Sequence, residues 1–546
     1  MTSDTTTGDE TTGSAMTNST PPRTRSHLSV PGKHSRREFL RRAGLVAGAG
    51  VAAPYALELS GLANDEHVAA ATPYRALVCV FLYGGNDSSN TFVPWDHPSY
   101  QRYASVRGGQ TRGRGGLLPL GAPGGASEGR ELAMVPEFGG LKGLYDAGQL
   151  AVLSNVGTLV RPLDKASYEV ESNRPPQLFS HNDQSSLWQS SAPEGSTSGW
   201  GGRLGDLLLD DNGSDSLFTC ISAAGNAVMM SGRRAVQYHV SWRGVVEVDL
   251  PLWSDEVTDG VNAILSRAPD GRDLFGDSHA LITRRSLAAS DKMIGAIDAA
   301  GDVPRAFPET GLGGQLRTVA QQIMAGRNHL EVKRQVVFVS MGGFDNHDGL
   351  NQNHPALLVE VNDALLAFHQ TMQDLGISRE VTAFTASDFG RTLVSNGNGT
   401  DHGWGSHQII LGGDVRGGRT YGRIPTLDED GPDDVGQGRA LPDTSVDQYS
   451  ATLAKWMGAS GDGLGSIVPN IGAFASSDLG FMRTGGTTSG GGSGGGSGGG
   501  SGSGGSRGGS GGGGSTGGGS PDGGADDGGG TESPASATRR ADRLDN

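Results

Sequence analysis

The chain has 546 residues and a formal net charge of −16, long enough for one large domain or two ordinary ones. The acidic balance survives removal of a leader, because residues 1–71 hold seven basic and seven acidic side chains; it argues against nucleic acid and anionic membrane surfaces as partners. Two cysteines, Cys79 and Cys220, exclude a disulfide scaffold, and with Cys79 inside an apolar run a free buried thiol is expected.

Residues 1–34 are rich in Thr, Ser, Pro and Gly with few large apolar side chains, so they cannot bury a core and are expected to be disordered. Ser35-Arg36-Arg37-Glu38-Phe39-Leu40-Arg41, followed by the mildly apolar run 43–53, has the paired arginines and weakly hydrophobic stretch of a twin-arginine export signal. Glycines and Pro54 interrupt that run, which falls short of a span of roughly 20 residues, so no stable membrane insertion is expected. Ala69-Ala70-Ala71 offers a cleavage site, and the signal is read as residues 35–71. The twin-arginine translocase is then the partner during export of an already folded protein, bound for the cell envelope or the extracellular space.

One α/β domain is expected over residues 74–483. The continuous apolar run 77–82 reads as a buried strand and opens into Gly84-Gly85-Asn86-Asp87. The Gly/Arg/Pro-rich stretch 108–130 reads as a long surface loop, and 150–156 as another buried strand. Partial alternation of Trp242, Val245, Val246 and Val248 within 225–275 suggests a small β excursion. The run 336–339 leads into Gly342-Gly343-Phe344-Asp345-Asn346-His347-Asp348. Leu358, Val361, Leu365, Phe368 and Met372 recur at helical spacing and predict a helix over 355–375 that stops at Gly376. The run 381–385 then opens into Ser387-Asp388-Phe389-Gly390-Arg391. Strand, helix and strand form a βαβ unit whose crossover puts both turns on one sheet edge. Residues 406–411 read as a further strand, and 484–546 as a Gly/Ser-rich disordered tail. The expected architecture is a mostly parallel central sheet flanked by helices, with disordered tails at both ends.

In open α/β sheets the carboxyl ends of the strands converge on one crevice where ligands bind. Three strand-to-turn segments there carry carboxylates, and Gly399-Thr400-Asp401-His402-Gly403 adds an imidazole beside an acid. A single Asp after a strand is ordinarily a turn former or helix cap. Four such turns, two with histidine, instead point to a divalent cation that neutralises their mutual repulsion. Asp345 and His347, two apart in a glycine-led loop, can reach one ion. Asp401 either binds metal or orients His402, and Asp348 is a second acid that binds or supports His347. His354 reads as a surface or cap residue, and His407 falls in a strand. In Phe179-Ser180-His181, Ser180 is either a metal-activated nucleophile or an N-cap, with His181 lining the site or packing.

Together these segments resemble a known family. Gly84-Gly85-Asn86-Asp87 with Asn90-Thr91-Phe92-Val93-Pro94, Ser180-His181, Gly342-Gly343-Phe344-Asp345-Asn346-His347, Ser387-Asp388-Phe389-Gly390-Arg391-Thr392, Gly399-Thr400-Asp401-His402-Gly403 and Gly417-Gly418 before Tyr421-Gly422 resemble, in fixed order over residues 77–425, the DUF1501 family of exported bacterial proteins. That family is similar to the alkaline phosphatase and sulfatase superfamily, which implies an alkaline-phosphatase-like fold with divalent ions at the carboxyl edge of the sheet. The resemblance implies Asp87 as the acid of one metal site and Ser180 as nucleophile. It implies Asp345 and His347 as paired ligands of the other metal, Asp388 as the acid from the following strand and His402 as the late histidine, with Asp401 beside it. This chain has Asn346 where the family usually shows Thr, Asp388 where it shows Glu, and Phe389 where alkaline phosphatases carry a second ligand. These departures bear on whether one or two ions bind, and Zn, Ca, Mg and Mn all remain open.

The implied chemistry is ester hydrolysis, in which metal polarises a phosphoryl or sulfuryl oxygen and Arg391 stabilises the departing anion, unless Arg391 is a salt-bridge residue. Cys220-Ile221-Ser222-Ala223-Ala224 lacks the proline and arginine of a formylglycine motif. The expected function is an exported metal-dependent hydrolase acting on a small anionic phosphate or sulfate ester. The alternative is a non-catalytic secreted metal- or ligand-binding protein on the same fold.

Overall fold

The computed structural model describes residues 73–121, 127–245, 254–266 and 274–483. The N-terminal extension, the twin-arginine signal and the Gly/Ser tail lie outside the described residues, as do Val246 and Val248. In chain order the strands that matter here are β1 (Arg75–Leu82), β2 (Leu150–Gly157), β3 (Cys220–Ser222), β4 (Gln237–Ser241), β5 (Arg334–Met341), β6 (Val381–Ser387), β7 (Arg391–Ser395), β8 (Thr400–His402), β9 (Ser406–Gly412) and β10 (Arg419–Tyr421). The central sheet runs β10-β2-β9-β6-β1-β5-β3-β4. Among these strands β9 alone runs against the others; β6, β1, β5, β3 and β4 pair parallel.

The apolar runs form strands because both faces of the sheet are covered. Along β1 the side chains alternate, with Ala76, Val78, Val80 and Leu82 in one apolar layer and Leu77, Cys79 and Phe81 in the other. The first layer is completed by α3 (Gly311–His329) and α4 (Leu350–Asp374), through Leu316 and Ile323 and through Leu358, Leu365 and Phe368. The second is completed by α2 (Trp200–Leu208) and α5 (Val446–Met457), through Trp200, Leu204, Tyr449 and Leu453. Each such side chain contributes about 1.5–3 kcal/mol on burial. Cys79 and Cys220 are free and buried within this core.

The βαβ unit holds with one strand inserted, and two local expectations change. β5, α4 and β6 do form a parallel unit, but β1 lies between the two strands, since the pattern of apolar runs carries no information on strand order. α4 begins at Leu350 and holds Pro355 inside its second turn; His354 is buried, its Nε2 2.8 Å from Asn86 Oδ1, instead of capping the helix at the surface. The 108–130 stretch is partly structural: Leu118–Pro119 pairs with Leu132–Met134, which pairs with Phe92–Pro94, and Leu117 and Leu120 are buried. Gln237–Ser241 supplies the expected β excursion, and helices Asp255–Ser266 and Leu274–Ala300 follow it. No helix among the described residues is long and apolar enough to cross a membrane.

Candidate metal centre

The carboxyl ends of β6, β1 and β5 lie side by side, so the turns after them share one edge. Gly84 makes this possible. Its φ is 110°, and a Cβ there would stand 2.4 Å from Asp345 N, so the turn after β1 and the loop after β5 approach to backbone contact. The β7–β8 hairpin folds over the same edge, with Thr400 N donating to Asn346 O at 3.1 Å. α1 (His181–Ser190) starts at this edge too, behind Phe179, whose positive φ of 73° aims its carbonyl at His402.

At the centre stands Asp345. His347 Nε2 is 3.0 Å from its Oδ1 and His402 Nε2 3.4 Å, while His181 Nε2 lies 3.4 Å from Oδ2. The Nε2 atoms of His347 and His402 face each other at 2.9 Å. Ligand atoms of His181, Asp345 and His402 all lie within 4.8 Å of one another, a grouping that fits a metal ion.

The opposite nitrogen of every ring is held by an acceptor. His181 Nδ1 is 2.7 Å from Asp388 Oδ2, His347 Nδ1 is 3.0 Å from Asp401 Oδ1, and His402 Nδ1 is 2.7 Å from Phe179 O. Acceptors on Nδ1 draw the proton there and leave a lone pair on each Nε2. Three lone pairs therefore point at one carboxylate. Two imidazole lone pairs 2.9 Å apart repel unless a cation stands between them, and His181 Nε2 is buried without a hydrogen-bond partner. Histidines whose far nitrogens are anchored in this way are typical of metal ligands. Three imidazoles and one carboxylate suit a borderline cation of the zinc class better than calcium or magnesium, which favour all-oxygen shells.

Burial and neighbouring charges shift these groups in opposite directions. Burial works against the Asp345 carboxylate, but Arg391, His347 and His181 together hold its carboxyl below the usual range. The Asp388 hydrogen bond raises the pKa of His181, and burial lowers that of His402.

The structure gathers Asp345, His347 and His402 and adds His181. The other candidate residues stand elsewhere or act at one remove. Asp388, 2% exposed, accepts from Gly84 N at 2.9 Å, from His181 and from Ser185, so its oxygens are engaged as supports, as is the Asp401 oxygen that faces His347. Asp87 is turned away: Arg107 donates to its two oxygens at 2.5 and 2.8 Å, and both side chains are buried. Arg391 is buried as well, donating to Asp345 Oδ1 at 2.6 Å, to Gly84 O at 3.0 Å and to Thr400 O, so it clamps the loops around the cluster. Ser180 Oγ donates to Asp183 Oδ2 at 2.9 Å. Asp348 contacts Asn398, and buried His407 holds Ser154 and Asn155 N through Nδ1.

Sequence reasoning gave His181 only as lining the site or packing, and passed over Ser185 and Arg107. His181 and Ser185 carried a signal in their one-turn spacing at a helix start; Arg107 carried none, lying in a helix of mixed composition. Beside the cluster an open cleft of about 740 Å³ is lined by Tyr83, Asn182, Ser185, Gly342, Asp345 and Asp388, among others, with no lysine or arginine in its wall among the described residues.

Several solved structures are similar to the chain. A sulfatase from Pseudoalteromonas sp. matches 76% of this chain and 73% of its own, with 10% identity and a TM-score of 0.31. A Bacteroides thetaiotaomicron structure described with the metabolism of multiple glycosaminoglycans matches 71% and 73%, with 10% identity and a TM-score of 0.30. The soluble domain of lipooligosaccharide phosphoethanolamine transferase A from Neisseria meningitidis matches 71% and 89%, with 9% identity and a TM-score of 0.26. No curated protein matches. The profile of DUF1501, a protein family of unknown function, matches residues 74–460, and the chain belongs to that family.

Proposed function

We propose that this protein is an exported metal-dependent hydrolase of phosphate or sulfate esters, using one divalent cation of the zinc class. The observation that carries the reading is the convergence of three anchored histidine Nε2 atoms on Asp345 at the edge of an open cleft. His181, Asp345 and His402, with His347 beside them, would hold the cation, which would supply Lewis acidity toward an ester oxygen. Asp388, Asp401 and Phe179 O keep the imidazoles in the binding tautomer, and Arg391 holds Asp345 in place. Among the described residues the cleft wall bears no lysine or arginine, so the charge of a small anionic ester is met at the metal cluster. With both Asp87 oxygens paired to Arg107, a second ion has lost its acid.

The test is elemental analysis of protein purified from its own host, with turnover of 4-nitrophenyl phosphate and sulfate before and after chelation. About one metal per chain and chelator-sensitive turnover support the reading; absence of metal in both wild type and Asp345→Ala rules it out. The engagement of Arg391 and Arg107 inside the protein favours the rival reading, metal binding without turnover, and metal without hydrolysis of either ester would select it. Export rests on Arg36 and Arg37, whose guanidinium pair the receptor reads. An Arg36→Lys, Arg37→Lys variant should stay in the cytoplasm, and its normal secretion would reject that route.

A further inference from the structure

His181 and Ser185 stand one helical turn apart on α1, and both face the cleft. They share one carboxylate. His181 Nδ1 and Gly84 N meet Asp388 Oδ2 at 2.7 and 2.9 Å, whereas Oδ1 accepts from Ser185 Oγ at 2.8 Å. Asp388 is thus a nearly fully buried carboxylate, oriented by two donors on one oxygen and presenting the other to a hydroxyl on the cleft wall. A hydroxyl bonded to a base that a third group orients is the arrangement of an activated nucleophile. Ser180, the hydroxyl the family resemblance implied, instead donates to Asp183.

Resting on the hydrolase reading, we propose that Ser185 is the catalytic nucleophile and Asp388 its general base. With a phosphate monoester in the cleft, a bond forms between Ser185 Oγ and phosphorus as the bond from phosphorus to the ester oxygen breaks. The hydroxyl proton passes to Asp388 Oδ1, and the departing oxygen, in line on the far side of phosphorus, takes its proton from solvent. Water next hydrolyses the phosphoserine, releasing inorganic phosphate and restoring the hydroxyl.

The experiment uses the full chain purified from its host, incubated with 4-nitrophenyl phosphate, acid-quenched and mapped by peptide mass spectrometry. A phosphoryl adduct on Ser185 is expected. Ser185→Ala should lose the adduct and slow turnover on the order of a thousandfold with metal content unchanged, while Ser180→Ala keeps the adduct. An adduct on Ser180, or full turnover in Ser185→Ala, overturns the assignment and leaves the hydrolase reading standing. Metal-loaded wild type without turnover of aryl esters overturns both. If Ser185→Ala does not fold, the adduct position in the wild type decides.

Discussion

Asp345 and Asp87 are the same residue type in the same kind of turn, and the structure gives them opposite surroundings. Asp345 is nearly half exposed among imidazoles; Asp87 is sealed against a guanidinium. Their substitutions should therefore separate. Asp388→Asn, which disturbs the anchor of His181 along with the bonds from Gly84 N and Ser185, is expected to weaken zinc binding about 10–100-fold in competition with a chromophoric chelator. Asp87→Ala should keep wild-type zinc affinity but lose about 3–5 kcal/mol in denaturant melts, because it strands the buried Arg107 charge. The reverse pattern, zinc loss in Asp87→Ala and none in Asp388→Asn, would return Asp87 to the metal. Residue types at the site were legible in the sequence: Asp345, His347, Asp388, Asp401 and His402 all stand around the cluster. Roles were not. Whether a carboxylate meets metal, imidazole or guanidinium depends on what the fold brings within about 3 Å, and Arg107 approaches Asp87 from 20 residues away.

At the level of elements, the glycine turns are where local conformation becomes site geometry. Gly84 adopts a φ of 110° with its missing Cβ against the Asp345 backbone. Gly84→Ala should therefore both strain the turn and push Asp345 from the cluster, costing on the order of 1–3 kcal/mol from backbone strain alone. Metal content should fall with it, and a variant with wild-type melting and metal would show that the two loops do not depend on that contact. The strands were legible because continuous apolar runs need cover on both faces, and residues 77–82, 150–156, 336–339, 381–385 and 406–411 all lie in strands. The start of α4 was not, because Pro355 resembles a helix N-terminus; burial of Leu350 and His354 extends the helix past it.

Over the whole molecule, three buried histidines tie stability to pH. Burial pushes His354, His369 and His407 down to about 4 from the usual 6.5. Each stays neutral when folded but takes a proton near 6.5 when unfolded, so the contribution is complete above that pH and is lost as pH falls toward 4, by about 3 kcal/mol per histidine. Buried Asp447, pushed up to about 6, works in the opposite direction and offsets part of the loss. Urea melts should show lower stability at pH 5 than at pH 7.5, and a smaller difference in His407→Asn, whose amide oxygen replaces the accepting Nδ1. Equal stability at both pH values in the wild type would count against neutral burial. Periodicity and turn chemistry, which act between neighbours along the chain, are enough to specify from sequence an α/β sheet with an acid- and histidine-bearing edge. The insertion of β1 between β5 and β6, the capture of Asp87 by Arg107 and the arrival of His181 and Ser185 at Asp388 were decided only by tertiary structure. Such contacts join residues up to about 300 positions apart, and their energies depend on distance and burial in three dimensions, which no local pattern encodes.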